Sequence, residues 1–141
     1  MNKYLLMAIV AVLALVLVMG LAACSGKAEV RDPSQTAAGV AYKKISAQEA
    51  KSLIDQGNLI LLDTRTQAEF DAGHIPGAIL LPEYEIAQKA ATLLPDKDAK
   101  ILVYCRSGRR SAIAAKELLA MGYTDVSDFG GIIDWPYDIV T

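Results

Sequence analysis

The sequence predicts an α/β domain with a largely parallel central sheet, folded from about residue 42 onward. Three observations support this fold class: short apolar runs of strand length, helical segments between them, and glycine or proline at the junctions. The apolar runs lack polar alternation, which is typical of strands buried on both faces. A length of 141 residues allows one compact domain.

Each predicted element follows from its own stretch of sequence. The predicted strands are the apolar runs at 59–62, 78–81, 101–104 and 126–129. A Ser or Thr followed three residues later by Glu is a capping-box signature, and this pattern predicts helices that begin after Ser46 and Thr66. Further helices are predicted at 83–94 and 111–121, the second ended by Gly122, with a final helical turn at 132–137.

The first 23 residues form a separate segment, because 20 of them are apolar and only Lys3 is charged. A charged start, an apolar core and small residues at the exit are typical of a secretory signal. The end of the segment, Leu-Ala-Ala-Cys at 21–24, resembles the lipobox of bacterial lipoproteins. That resemblance implies cleavage before Cys24 and lipid on its thiol and new amino terminus. An uncleaved membrane anchor is the alternative, since about 20 apolar residues can span a bilayer.

We therefore expect three parts: a signal peptide at 1–23, a lipidated cysteine with a flexible tether at 24–41, and a folded domain at 42–141. The tether is predicted from small and polar residues that show no sustained helical or strand period. Cleaved or uncleaved, the first segment predicts export, with the domain outside the cytoplasm and tethered to a bacterial membrane.

Charge and cysteine content exclude several classes of function. Beyond residue 23 the chain has 13 basic and 16 acidic residues, a net charge of −3. This balance argues against a general nucleic-acid binder, which needs a clustered basic surface. Two cysteines exclude a disulfide framework and a four-cysteine metal site, and one histidine with one available thiol cannot fill a tetrahedral metal shell. We expect no metal, no cofactor and a monomer.

The segment from Cys105 to Ser111 has the residues of an anion-binding nucleophile loop. Cys105 ends a predicted strand and precedes a helix, beside three arginines (Arg106, Arg109 and Arg110). Positive potential and a helix N-terminus both favour the thiolate, which is the nucleophilic form of cysteine. Gly108 lets the backbone curl so that N–H groups converge on one point. The alternative is a buried, inert cysteine followed by a solvated basic helix start.

The chain resembles a single-domain rhodanese-like sulfurtransferase over nearly all of residues 43–141. Three stretches carry the resemblance: Asp-Thr-Arg through Glu-Phe at 63–70, Gly-His-Ile-Pro-Gly-Ala at 73–78, and Cys-Arg-Ser-Gly-Arg-Arg-Ser at 105–111. The segment Gly-Gly-Ile-Ile-Asp-Trp at 130–135 also resembles the usual ending of the family. The resemblance implies a three-layer α/β fold and a persulfide on Cys105. It also implies a small anionic sulfur donor such as thiosulfate, and cyanide or a thiol as the acceptor.

On this interpretation, the loop residues have two different roles. Arg106 and Arg109, with the loop N–H groups, stabilise the charge on the leaving sulfite. The backbone cradle is assigned to Ser107, Gly108, Arg110 and Ser111, with Ser111 also the expected helix N-cap. Arg110 alternatively has a solvated side chain at the helix start.

Residues outside the loop are expected to have supporting roles. Asp63 and Arg65 follow a buried strand, so an ion pair between them is expected to brace the active loop, with contact to the substrate as the alternative. His74 is interpreted as structural, with a general-base role as the alternative. Tyr104 and Asp134-Trp135 are also interpreted as structural.

Two other functions are alternatives to sulfur transfer. Phosphatases and arsenate reductases of the same fold have arginine six positions after the cysteine, where this chain has Ser111. The second alternative is a non-catalytic rhodanese-like scaffold or persulfide-binding module, against which the intact Cys105 argues. With Cys24 lipidated, Cys105 has no resolving partner in the chain, so the sulfur has to leave to an external acceptor.

Overall fold

The predicted fold class is confirmed by a computed structural model that describes residues 42–141. Its five strands form one sheet in the order β1-β5-β4-β2-β3, and every neighbouring pair is parallel. The strands are β1 (Lys43–Lys44), β2 (Ile60–Asp63), β3 (Ile79–Leu80), β4 (Lys100–Cys105) and β5 (Asp125–Gly131). The α-helices are α1 (Ala47–Gln56), α2 (Gln67–Asp71), α3 (Ile86–Leu93) and α4 (Arg109–Ala120), and 3₁₀ turns lie at Glu83–Glu85 and Ile132–Asp134.

Helices cover both faces of the sheet, because alternate strand residues feed two separate cores. On one face, Leu62 and Val103 pack with residues of α3 and α4, including Ala90 and Leu118. On the other face, the core combines α1, the middle strands and the end of the chain: Ala50, Leu61, Leu102, Tyr104, Phe129 and Trp135. The result is a three-layer domain whose middle strands are buried on both sides, as the unbroken apolar runs indicate.

The structure differs from the predicted elements in four places. The final helical turn predicted at 132–137 is a 3₁₀ turn that ends at Asp134. β1 was not predicted, because its two lysines are exposed and its only pairing is with β5. The helix predicted at 83–94 begins instead as a 3₁₀ turn, and α3 starts at Ile86. The helix predicted from Ser111 begins two residues earlier, at Arg109.

The arrangement of β2 and β4 positions the candidate site. These strands are adjacent and in register, with Asp63 opposite Tyr104. The segments that follow them therefore leave the same edge of the sheet, where ligands of open parallel sheets bind. Residues 1–41, with the predicted signal, Cys24 and tether, lie outside the described residues. Within residues 42–141, no helix is long and apolar enough to cross a membrane.

Candidate active site

Cys105 is the last residue of β4, and its loop turns sharply into α4. A register irregularity separates Val103 from Cys105 in the pairing with β5, so the strand ends with a local bend. Gly108 then adopts φ +96°, a left-handed conformation that favours glycine, and serves as the N-cap of α4. The chain thus passes from strand to helix in three residues, with the N-terminus of α4 next to the cysteine.

The Cys105 sulfur lies at the focus of hydrogen-bond donors from this turn. The Gly108 N–H donates to Sγ over 3.1 Å, and the N–H groups of Ser107 and Ser111 also favour the thiolate. Burial opposes ionisation, since the residue is only 1% exposed. The hydrogen bonds outweigh burial, with the Ser111 donors the strongest of them, and the pKa of the Cys105 thiol is lowered.

The sequence predicted a lowered pKa from the helix N-terminus and the three arginines, with loop N–H groups converging on one point. The dominant favourable contributions are hydrogen bonds from the loop and the first turn of α4. Among the arginines, Arg110 has its own pKa raised by its hydrogen bond to Glu69 and, to a smaller extent, by Cys105. Backbone donors are fixed by the fold, so the site is preorganised for a negative sulfur before any substrate arrives.

One prediction about the start of α4 is wrong. Ser111 is not the N-cap, because the left-handed Gly108 starts the helix earlier and places Ser111 in the first turn. Its hydroxyl faces the carbonyls of Gly108 (3.2 Å) and Gly130 (3.3 Å) and also lies within reach of the sulfur. Ser111 therefore supports the loop from beneath as a buried side chain.

The side chain of Arg110 is neither solvated nor free for an anion. It forms a bidentate salt bridge with Glu69 of α2, with both N···O distances at 2.7 Å. The hydrogen bond from Arg110 is the largest cause that lowers the pKa of Glu69 to about 2, and a complete capping box with Thr66 contributes further. This pair ties α2 to the first turn of α4, a connection that the sequence did not reveal.

Arg106 and Arg109 have a different environment. Both are exposed, and among residues 42–141 neither forms an ion pair or a side-chain hydrogen bond. They flank the buried cysteine in sequence, one directly after it and one at the start of α4. Their positive charges therefore have no acidic partner within residues 42–141 and are exposed to solvent.

The predicted Asp63–Arg65 ion pair exists, and its hydrogen bonds among the described residues do not reach residues 105–111, although the Arg65 guanidinium lies 5.7 Å from the centroid of the Tyr104 ring. Arg65 donates to both Asp63 oxygens, at 2.6–3.0 Å, and its Nη2 also donates to the Gly73 carbonyl at 2.7 Å. Burial opposes the charge on Arg65, but the Asp63 carboxylate outweighs it and raises the pKa of the guanidinium. The pair therefore fastens the end of β2 to the turn before His74.

Thr64 was missed by the sequence analysis, although it acts closer to the nucleophile. Its backbone N–H and its hydroxyl both donate to the Tyr104 carbonyl, each over 2.9 Å. Tyr104 itself is fully buried, and its hydroxyl accepts from the Ile75 N–H. The residue before Cys105 is thus held by hydrogen bonds from the segment after β2. No pattern in the sequence distinguishes Thr64 from any other strand-end threonine.

The remaining singled-out residues lie away from the sulfur's hydrogen bonds. His74 stacks on Phe70 with ring centroids 3.7 Å apart, and its Nδ1 lies 3.0 Å from the Phe70 carbonyl. Its backbone pairs with Val140. Trp135 packs into the core beside Phe129. In the described part of the chain, no group of three or more His, Cys, Asp or Glu side chains could hold a metal ion.

The fold and this site define an α/β domain that carries a buried cysteine with a lowered thiol pKa in a backbone cradle, with two exposed arginines in the same loop and helix start. Comparison with known proteins places that class in a family. The sequence model of the rhodanese-like domain matches residues 46–136, so the chain belongs to the rhodanese-like family.

Individual relatives agree with this membership. The chain is 40% identical over 73 residues to thiosulfate sulfurtransferase PspE of Escherichia coli, which covers 52% of this chain and 70% of the relative. It is 39% identical over 87 residues to a sulfurtransferase of Allochromatium vinosum, covering 61% and 79%. A solved structure described as a rhodanese with anions from E. coli has a TM-score of 0.55 at 36% identity, covering 58% of this chain and 96% of that one.

Proposed function

We propose that this protein is a sulfurtransferase that moves a sulfane sulfur from a small anionic donor, with thiosulfate as the reference donor, through a persulfide on Cys105. The observation that carries the proposal is the sulfur of Cys105 within a ring of loop N–H donors, with its pKa lowered. Names of relatives support the reaction class, since they include thiosulfate sulfurtransferase and sulfurtransferase.

The reaction has two balanced displacements. In the first, the Cys105 thiolate attacks the outer sulfur of thiosulfate. A new S–S bond forms, and the donor's S–S bond breaks, so that sulfite leaves with its electron pair. In the second, a cyanide or thiolate acceptor attacks the terminal sulfur of the persulfide. The persulfide S–S bond breaks, and its electron pair returns to Cys105 as the thiolate.

The loop supplies electrostatic stabilisation to both displacements. The N–H groups that favour the thiolate also suit the negative terminal sulfur of the persulfide, because each state places negative charge within the same cradle. The charges of Arg106 and Arg109 suit the donor and the departing sulfite. A solved structure at 36% identity is described as a rhodanese with anions, which supports an anionic substrate. The lowered pKa of the thiol favours the thiolate nucleophile, so we assign no residue as a general base.

Sulfite release from thiosulfate in the presence of cyanide tests the proposal. We expect turnover by the wild type and none by Cys105→Ser, which keeps the size of the side chain but removes the nucleophile. Lys116→Ala, on the exposed side of α4, is the matched control and should retain activity. The proposal fails if the wild type releases no sulfite while alkylation shows that Cys105 is free. A scaffold would then be tested by partner binding that Cys105→Ser leaves intact, and a phosphatase by hydrolysis of an aryl phosphate.

We also propose that the domain is exported, anchored to a bacterial membrane through lipid on Cys24, and monomeric. Support for the anchor comes from the signal-like residues 1–24 alone. The mature protein should lack residues 1–23 and carry lipid on Cys24, as determined by mass spectrometry. Cys24→Ala should abolish the lipid and the cleavage. An unlipidated chain that keeps residues 1–23 in the wild type would favour the uncleaved anchor. Light scattering after gel filtration tests the monomer.

A further inference from the structure

The Gly130–Gly131 segment at the end of β5 forms the floor of the Cys105 loop. An added Cβ on Gly131 would overlap the Arg106 carbonyl oxygen and lie 2.7 Å from the Ser107 Cα. An added Cβ on Gly108 would lie 3.4 Å from the Gly130 Cα. The loop thus rests backbone against backbone on this segment, with no side chain between them.

Hydrogen bonds also join the floor to the loop. The Ile133 N–H donates to the Arg106 carbonyl over 3.2 Å, and the Ser111 hydroxyl lies 3.3 Å from the Gly130 carbonyl. Ser111 is one of the residues whose donors lower the pKa of Cys105. A shift of Gly130 would therefore also move Ser111, whose donors favour the Cys105 thiolate.

Gly130 is itself fixed by a buried carboxylate. It adopts φ +92°, and its N–H donates to Asp128 Oδ1 over 2.9 Å. Asp128 is 0% exposed. Its second oxygen, Oδ2, is the one buried side-chain polar atom in residues 42–141 that has no hydrogen-bond partner. A carboxylate in that position is costly, so strand stability alone would favour an apolar residue.

Resting on the proposed role of Cys105 as the nucleophile, we propose that Asp128 is a positioning residue for sulfur transfer. The hydrogen bond from the Gly130 N–H to Asp128 fixes the turn at Gly130. The position of Gly130 in turn fixes the position of the loop that packs on it and holds Cys105. The Gly108 N–H then meets the sulfur at 3.1 Å. This role explains why a carboxylate with only one hydrogen-bonded oxygen is buried here, because the turn at Gly130 requires a hydrogen-bond acceptor at that point.

The test is a series of substitutions at Asp128 in a Cys24→Ala background, in which Cys105 is the only thiol. The rate of Cys105 alkylation by iodoacetamide against pH reports the thiolate pKa without any sulfur transfer. Asp128→Asn keeps the acceptor and should leave the profile near that of the wild type. Asp128→Ala should raise the thiol pKa by about one pH unit and slow sulfite release about tenfold, the effect of one lost hydrogen bond. Asp128→Ser should lie between them, since hydroxyls form this turn more weakly.

Ser127→Ala is the matched control, because Ser127 is the buried polar neighbour on the same strand and does not bond Gly130. It should leave the profile unchanged. A folded Asp128→Ala variant with the wild-type profile overturns the inference. If thermal melting shows that Asp128→Ala does not fold, equal pKa values in the Asn and Ser variants overturn it instead. A pKa trend without sulfite release by the wild type would sink the sulfurtransferase proposal and reduce the role of Asp128 to thiolate stabilisation.

Discussion

The segments that follow β2 and β4 leave the sheet side by side, yet they have opposite electrostatic character. After β2, Arg65 is buried and its charge is matched by Asp63. After β4, Arg106 and Arg109 are exposed and have no ion pair among residues 42–141, beside a cysteine with a lowered pKa. The same edge of one sheet therefore contains a closed structural pair and an open, positively charged site.

The difference shows that a basic residue at the right edge of the sheet is not sufficient for function. What matters is whether its charge and the nearby N–H groups already have partners. Around Asp63 the acceptors are on the chain itself, so the pair stabilises the fold. Around Cys105 the backbone donors face a sulfur atom, and the nearest free arginines face solvent, which leaves the positive potential for a substrate.

The largest expected effect comes from breaking the closed pair. Arg65→Met leaves the Asp63 carboxylate buried without its partner and should lower the free energy of unfolding by about 3–5 kcal/mol. Lys100→Met, which breaks the exposed pair with Asp125, should cost less than about 1 kcal/mol. Urea unfolding measures both. Equal losses of unfolding free energy in the two variants would show that the buried Asp63–Arg65 pair stabilises the fold no more than the exposed Lys100–Asp125 pair.

A smaller effect is expected at Glu69, which links the two regions through Arg110. Glu69→Gln replaces a charge-assisted bidentate pair and should lower the free energy of unfolding by about 1–3 kcal/mol. Glu49→Gln, at an exposed pair with Lys43, is the matched control and should cost under about 1 kcal/mol. The sulfite-release rate of Glu69→Gln should also fall, because the first turn of α4 loses its tie to α2. Unchanged stability would contradict the proposed link.

The pH dependence of the same pair sharpens this prediction. The pKa of Glu69 is lowered to about 2 in the folded protein from an ordinary 4.5. A lowered carboxyl pKa stabilises the fold above the ordinary value, and that stabilisation is lost as the pH falls toward 2. The difference in unfolding free energy between wild type and Glu69→Gln should therefore be constant near neutral pH and shrink from about pH 4.5 to 2. A difference that grows on acidification would have the wrong sign.

The smallest effect is expected at the open arginines. Arg106→Ala and Arg109→Ala should each raise the KM for thiosulfate about two- to fivefold, since an exposed charge pair contributes roughly 0.2–1 kcal/mol. Added salt should reduce the difference in KM between each variant and the wild type, because screening weakens the interactions of exposed charges. Steady-state kinetics at two salt concentrations measure this. If Lys116→Ala raises the KM for thiosulfate as much, the overall charge of the protein controls donor binding, and the two arginines have no special role.

Local patterns were enough to predict the sheet and the nucleophile loop. Unbroken apolar runs identified four of the strands, because burial on both faces excludes polar alternation. The loop was recognisable because Cys105, Gly108 and the arginines lie within a few residues of each other. β1 escaped notice because its residues are exposed and only its partner strand defines it.

Interactions between distant parts of the chain could not be predicted. Arg110 and Glu69 are 41 residues apart, and nothing in either local sequence specifies the other. The N-cap predicted at Ser111 is wrong because serine is the stronger capping residue in general, whereas the turn after Cys105 takes the left-handed conformation that favours glycine, φ +96° at Gly108. The role suggested for Asp128 likewise depends on contacts that only the folded chain creates.

The most direct test of the central claim is the intact mass of the protein after exposure to thiosulfate, in the Cys24→Ala background. We predict a gain of one sulfur atom on the wild-type loop, reversed by cyanide and absent from Cys105→Ser. Protein that gains no sulfur, with Cys105 still free to be alkylated, would contradict the claim that this loop accepts sulfur on its thiolate.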